Sequence, residues 1–146
     1  MTEDWQVSLD AIRRSYAPGV RGTGGTALFD VELIEVDRGL TVFRLPITDA
    51  VRGGVGDGVH GGVIAALVDI GLVSAVLSAC RQGDEMRGTA ELNVSYLRPA
   101  QGNALIARTT ILKKGRTLAV GDVDIENDAG VLVAKGRGTY ALGQRG

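Results

Sequence analysis

From Gly61 to Cys80 the chain is uncharged and largely apolar except at one position, Asp69. A run of this length predicts one long helix, with the glycines between Gly58 and Gly62 at its start. On both sides the pattern changes to alternation. Phe29–Val36 alternates apolar and polar positions as a half-buried strand does, Asp37-Arg38-Gly39 supplies a turn, and Leu40–Leu45 returns as the second strand of a hairpin. Ile47–Val59 is a loop rich in glycine (Gly53, Gly54, Gly56, Gly58). Beyond the helix, Arg81–Glu85 is a polar exit. Four strands are then predicted: Gly88–Leu97, Ala104–Lys113, Thr117–Glu126 and Val131–Tyr140, with tight turns at Lys114-Gly115-Arg116 and Asn127–Gly130. Ahead of all this, Val7–Arg14 predicts a short amphipathic helix with Leu9, Ile12 and Trp5 on one face. Pro18-Gly19 ends it, and Gly22–Gly25 is a flexible loop.

Hairpin, helix, then four sequential meandering strands predict an α+β domain, an antiparallel sheet curled around one long central helix. A helix apolar on nearly every side has more surface to bury than one sheet face covers, so the remainder predicts packing against a second subunit. A membrane span is the other way to bury it. Against that stand Asp69, which costs on the order of 3 kcal/mol near a bilayer centre, and the lack of Lys or Arg just before the helix. With no internal repeat or linker, residues 1–146 read as one domain whose core spans about 29–141.

Composition narrows the function. Sixteen basic against seventeen acidic residues leave a net charge of −1, so no overall field draws the chain to nucleic acid or an anionic membrane. Aromatic residues, at 4%, are too few for base-stacking platforms. One histidine, His60, and one cysteine, Cys80, form no metal-ligand pattern, and a lone cysteine fits a reducing, cytoplasmic setting. Met1–Trp5 is acidic and lacks the layout of a signal peptide. A carboxylate in a helix this apolar costs desolvation energy unless it is paired or used, which makes Asp69 the first candidate for chemistry.

Three segments in order carry a resemblance: His60-Gly61-Gly62 with Asp69, then Thr89–Ala100 ending in Leu97-Arg98-Pro99-Ala100, then Lys114-Gly115-Arg116 with the strand after it. Over Phe29–Tyr140 the chain resembles the hotdog-fold acyl-CoA thioesterases, and within them the branch typified by the phenylacetate-degradation thioesterase. The resemblance implies that Asp69 acts as general base or nucleophile and that the Gly61 backbone N–H polarises the thioester carbonyl. It gives His60 a supporting role, lets Gly62 keep the approach to the acyl group open, and has Thr89 hold the attacking water. Coenzyme A is then part of the substrate rather than a cofactor, and Arg98, Lys113, Lys114, Arg116 and Arg137 are candidates for its phosphates. Eight residues of helix separate Gly61 from Asp69, about 12 Å. If both act on one thioester, Gly61 of one protomer must meet Asp69 of a two-fold partner. A homodimer is required, and the resemblance extends this to a homotetramer.

One position departs from the family pattern. Many relatives carry Asn or Gln six residues before the histidine, where this chain has Gly54. Arg52 or Asp57 replaces that amide, or the pocket is wider, or hydrolysis is slow. Two other functions follow from the same fold, a non-catalytic acyl-CoA sensor and a hydratase or dehydratase. The second needs a histidine working with the carboxylate, and His60 lies two helical turns from Asp69.

Overall fold

A computed structural model describes residues 3–18, 20 and 29–146, with side chains from Ser8 onward. The Gly22–Gly25 loop and the Trp5 side chain lie outside the described residues. The elements are helix α1 (Glu3–Ser15), strands β1 (Glu32–Asp37) and β2 (Leu40–Pro46), helix α2 (Gly61–Ala79), and strands β3 (Asp84–Tyr96), β4 (Ala104–Lys114), β5 (Leu118–Asn127) and β6 (Leu132–Gln144). Single 3₁₀ turns at Asp49–Val51 and Val55–Asp57 punctuate the glycine-rich loop.

The six strands form one antiparallel sheet in the order β1-β2-β4-β5-β6-β3, and α2 touches all six. This is the hotdog arrangement, a sheet wrapped around a central helix. One detail differs from a simple meander. Strands β4, β5 and β6 follow one another, but β3 pairs with β6 at the far edge, leaving β4 to pair with β2. The segment between β3 and β4 passes the start of α2, where the Val59 N–H donates to the Ala100 carbonyl at 3.0 Å and the Ile47 N–H to Asn103 at 2.8 Å. That crossing sets β3 and β4 on opposite sides of the helix. The polar exit is also shorter than its composition suggests: Asp84 already pairs with Gln144, and both strands run to those residues.

The inner face of α2 is seated closely. Leu67 and Val68 are buried with Phe43, Leu105, Val123 and Ile125, and Leu72 and Val76 with Ala119, Tyr140 and Leu142. Small residues permit the approach: a Cβ at Gly136 of β6 would lie 2.5 Å from Val68 Cγ1, and one at Gly71 of the helix would collide with Thr109 Oγ1. Thr41 and Thr109 are cross-strand partners under Gly71, and the Thr41 hydroxyl donates to the Gly71 carbonyl at 3.2 Å. Helix α1 packs on α2 through Leu9 and Ile12, each 2% exposed, and the Tyr16 ring meets Phe43 at 4.8 Å. Cys80 is a buried free thiol at the end of α2.

The opposite face of α2 is only partly covered by the described residues. Ala65, Ala66, Asp69, Ile70, Val73 and Leu77 form a half-exposed stripe along the helix, with Asp69 its only charge. The surplus apolar surface expected from the sequence is therefore real, and it is confined to one side.

Glycine in mid-helix costs about 1 kcal/mol relative to alanine, so Gly71→Ala in an open helix would stabilise. Here the collision with Thr109 reverses the sign: the variant is expected to lose about 1–3 kcal/mol, lowering the melting temperature by several degrees. The same substitution in a Thr109→Ala background is expected to lose much less. Thermal unfolding of the four proteins measures both effects.

Candidate active site

His60 is the N-cap of α2. Its backbone is extended (φ −59°, ψ 136°), and its Nδ1 accepts the Gly62 N–H at 2.9 Å. The His60 carbonyl accepts the N–H groups of Val63 and Ile64. Three of the first helical N–H groups are thus satisfied, whereas Gly61 N–H has no acceptor among the described residues. An unpaired N–H at the positive end of a helix suits an oxygen that gains negative charge.

Tyr96, at the end of β3, adds a contact to which the sequence reading gave no role. Its hydroxyl donates to the Gly61 carbonyl at 2.7 Å, and its ring lies where a Cβ at Gly61 would meet it at 3.4 Å. The Gly61–Gly62 peptide is therefore held at both ends, its oxygen by Tyr96 and its N–H by His60. A signal for this was present: Leu92, Val94 and Tyr96 share one face by alternation, and that face is turned to the helix.

Asp69 lies two helical turns away, half-buried on the open stripe. Thr89 Oγ1 donates to Asp69 Oδ1 at 2.7 Å, and no partner is recorded for Oδ2 among the described residues. Thr89 reaches the helix because of an irregularity in β3. Thr89 pairs with Tyr140 and Glu91 with Thr139, so Ala90 is an extra, bulged residue. Without the bulge, Thr89 would point away from the face that carries Leu92. Tyr140 sits beneath this pair, 7% exposed, and burial, followed by the Asp69 charge, pushes its phenol above the ordinary range.

A cavity of about 430 Å³ opens beside Gly61, walled by Val55, Val59, Ile64 and Leu97 with Arg98 at its edge. Gly54 also lines it. Neither Arg52 nor Asp57 stands in for the amide that the family resemblance leads one to expect at position 54. Arg52 donates to the Asp57 carbonyl at 3.1 Å and pairs with the Asp49 and Asp57 carboxylates at 3.4 and 3.5 Å. Those two side chains serve the loop, so neither reaches into the cavity as a substitute for an amide. The loop itself requires glycine at 54: its N–H donates to the Gly58 carbonyl at 2.9 Å, and a Cβ there would sit 2.5 Å from the Val59 carbonyl oxygen.

The basic candidates do not converge within one chain. Arg98 stands at the helix start and donates to the Leu132 carbonyl at 2.8 Å. Lys113 and Lys114 end β4 and Arg116 lies in the turn after it, near the other end of α2, a helix of nineteen residues, or about 27 Å. Arg137 lies on the outer face of the sheet in a two-pronged pair with Asp122, at 2.6 and 2.9 Å. Among the described residues no group of three His, Cys, Asp or Glu side chains is placed to hold a metal.

Comparison with known proteins agrees with this fold. The model of a family described as the thioesterase superfamily matches residues 56–134. Acyl-coenzyme A thioesterase 13 of Homo sapiens is 30% identical over 115 residues, covering 77% of this chain and 80% of that protein. The medium/long-chain acyl-CoA thioesterase YigI of Salmonella typhimurium is 36% identical over 96 residues, 58% of this chain and 62% of the relative, so the match spans less than two thirds of YigI. Among solved structures, the thioesterase superfamily member 2 of zebra fish superimposes with a TM-score of 0.73 at 26% identity, covering 96% of this chain and 99% of the other. A hypothetical thioesterase from Streptococcus pneumoniae solved with coenzyme A gives 0.72 at 27% identity, covering 82% and 92%.

Restoring an amide at position 54 is expected to damage the loop rather than improve the site. Gly54→Asn and Gly54→Ala should both lose about 1–3 kcal/mol of stability, read as a lower denaturant midpoint. Equal stability with faster turnover in Gly54→Asn would contradict the steric account.

Proposed function

The chain belongs to the thioesterase superfamily, and from that premise we propose that it hydrolyses an acyl- or aryl-acyl-CoA thioester to the free acid and coenzyme A, at a site shared by two protomers. The observation that carries this reading is Asp69. One carboxylate oxygen is fixed by Thr89, the other has no partner among the described residues, and the residue lies on the stripe of α2 that those residues leave partly open. A carboxylate kept on an apolar surface at a desolvation cost is best explained by chemistry performed there.

Water attacks the thioester carbon as Asp69 takes its proton, or Asp69 attacks the carbon itself and water then cleaves the resulting anhydride. In either course the carbonyl oxygen becomes an oxyanion and the Gly61 N–H stabilises it. The carbon–sulfur bond breaks, and the coenzyme A thiolate leaves and is protonated. Thr89 orients the carboxylate. His60 and Tyr96 are positioning residues that hold the Gly61–Gly62 peptide. Gly62 leaves room beside the His60 ring for the acyl group, and Arg98, on the wall of the cavity beside Gly61, faces the substrate.

Gly61 and Asp69 are about 12 Å apart along one helix, so the site needs a second copy with its helix running the opposite way. Two features supply such an interface. The stripe from Ala65 to Leu77 offers the helix surface, and β3, thirteen residues long at the sheet edge, offers one row of unpaired backbone groups. A long open edge strand invites pairing with another chain. A homodimer is the functional unit in this account, and paired dimers forming a tetramer are its extension. The buried free thiol of Cys80 fits a reducing cytoplasm. Gly54 favours a second reading, acyl-CoA binding without turnover, because the amide of relatives has no counterpart.

Thiol release from a panel of aliphatic and aromatic acyl-CoAs tests the function. Asp69→Asn is expected to lower kcat by about 10²–10⁴-fold in a folded dimer; unchanged release would remove Asp69 from the mechanism. Gly61→Pro removes the one N–H in question at the first helical position, where proline is tolerated, after a residue already in the extended conformation proline prefers. It is expected to keep the fold and lose about 10²–10³-fold in kcat. Light scattering is expected to give a dimer or tetramer at assay concentration, and a monomer would sink the shared site.

A further inference from the structure

A second cavity, of about 570 Å³, lies at the C-terminal end of α2. Three arginines from three separate connections line it: Arg38 from the β1–β2 turn, Arg81 from the segment after the helix, and Arg116 from the β4–β5 turn. Among the described residues none of the three guanidinium groups has a carboxylate partner, whereas most arginines elsewhere on the surface, such as Arg44, Arg52 and Arg137, are paired.

The one carboxylate in the cleft is already saturated. Asp84, with a side chain 7% exposed, accepts Lys114 Nζ at 2.6 Å, the Arg81 N–H at 2.8 Å and the Gln144 amide at 2.8 Å. Burial raises its pKa, but these donors outweigh burial and hold it below the usual carboxylate range. Asp84 thus stays ionised, cancels Lys114, and ties the segment carrying Arg81 to the β4–β5 turn carrying Arg116. What remains is three unopposed guanidinium charges. The negative end of the helix offsets about half a charge.

We propose that this cleft binds a phosphorylated group, a phosphomonoester or diphosphate held by Arg38, Arg81 and Arg116. Planar guanidinium forks match phosphate oxygens in pairs, and here three from separate elements line one cleft. The source favoured by distance is the nucleotide end of the coenzyme A thioester, and that assignment rests on the function proposed above. Ala79 lies ten residues beyond Asp69, about 15 Å along the helix. The pantetheine arm from sulfur to the first phosphorus has thirteen bonds, the length of roughly four extended residues, or about 15 Å. The protomer that supplies the carboxylate would then also hold the phosphates.

Adenosine 3′,5′-bisphosphate and inorganic phosphate, titrated calorimetrically into the full chain, test the cleft without reference to turnover. The bisphosphate is expected to bind the wild type and to bind Arg38→Gln/Arg116→Gln at least about tenfold more weakly. Arg108→Gln, an exposed arginine outside the cleft, should change this by less than twofold. Turnover separates the sources. If the nucleotide of the substrate is the occupant, the double variant lowers the ratio of kcat/KM for acyl-CoA over acyl-pantetheine at least tenfold. Variant-sensitive binding with an unchanged ratio assigns the cleft to a separate phosphorylated ligand. Binding insensitive to the arginines, or absent, overturns the proposal, even if the protein proves an active thioesterase. Inactive protein that still shows arginine-dependent binding overturns the thioesterase reading and leaves the cleft standing.

Discussion

Eight residues of helix stand between the Gly61 N–H and the Asp69 carboxylate, and a helix is too stiff to bring them together. Every other feature of the molecule is arranged around that separation. Helix α2 is gripped on one side by the sheet, closely enough that Gly71 and Gly136 tolerate no side chain. On the other side it presents an apolar stripe with a single acid. The first turn is fixed by His60 and Tyr96, leaving one N–H pointing outward. In the proposed mechanism these are two half-sites on one rigid rod, of use only to a partner that carries the same rod reversed.

Much of this was legible in the chain. The charge-free run marked α2, and alternation marked most of the strands, because burial on one face imposes a period that sequence cannot hide. Asp69 was conspicuous for the same reason: a charge in such a run demands an explanation. Strand order was not legible. Local pattern states that Gly88–Leu97 is a strand but carries nothing about pairing with β6 rather than β4, which depends on the path of a loop across the sheet end. Thr89 shows the limit most clearly. Strict alternation from Leu92 and Val94 turns it outward, and only the extra residue at Ala90, visible in the register with β6, brings its hydroxyl to Asp69. The basic residues were misleading as a group, because spacing along the chain does not show that Arg98, Arg116 and Arg137 stand in three places. Arg38 and Arg81, from turns that carried no motif, complete the cleft that Arg116 begins.

The loop before the helix shows how one substitution is absorbed. Where the family resemblance leads one to expect an amide, Gly54 makes a hydrogen bond to Gly58 in a turn too tight for a side chain, while Arg52 and Asp57 brace the same turn. Gly54 contributes no side chain to the apolar cavity beside Gly61. Chemistry in this account rests on Asp69 and Gly61 rather than on a third polar group, with substrate held by the cavity at one end and the arginine cleft at the other.

The central claim is that each site takes Gly61 from one protomer and Asp69 from the other, and co-expression of Asp69→Asn with Gly61→Pro tests it most directly. Random pairing makes half of the dimers mixed, and each mixed dimer holds one intact site of two, so about a quarter of the wild-type rate should return from two nearly inactive parents. If both groups served one site within a single chain, no pairing could restore it. Activity no higher than that of the parents, in dimers shown to contain both variants, would contradict the account.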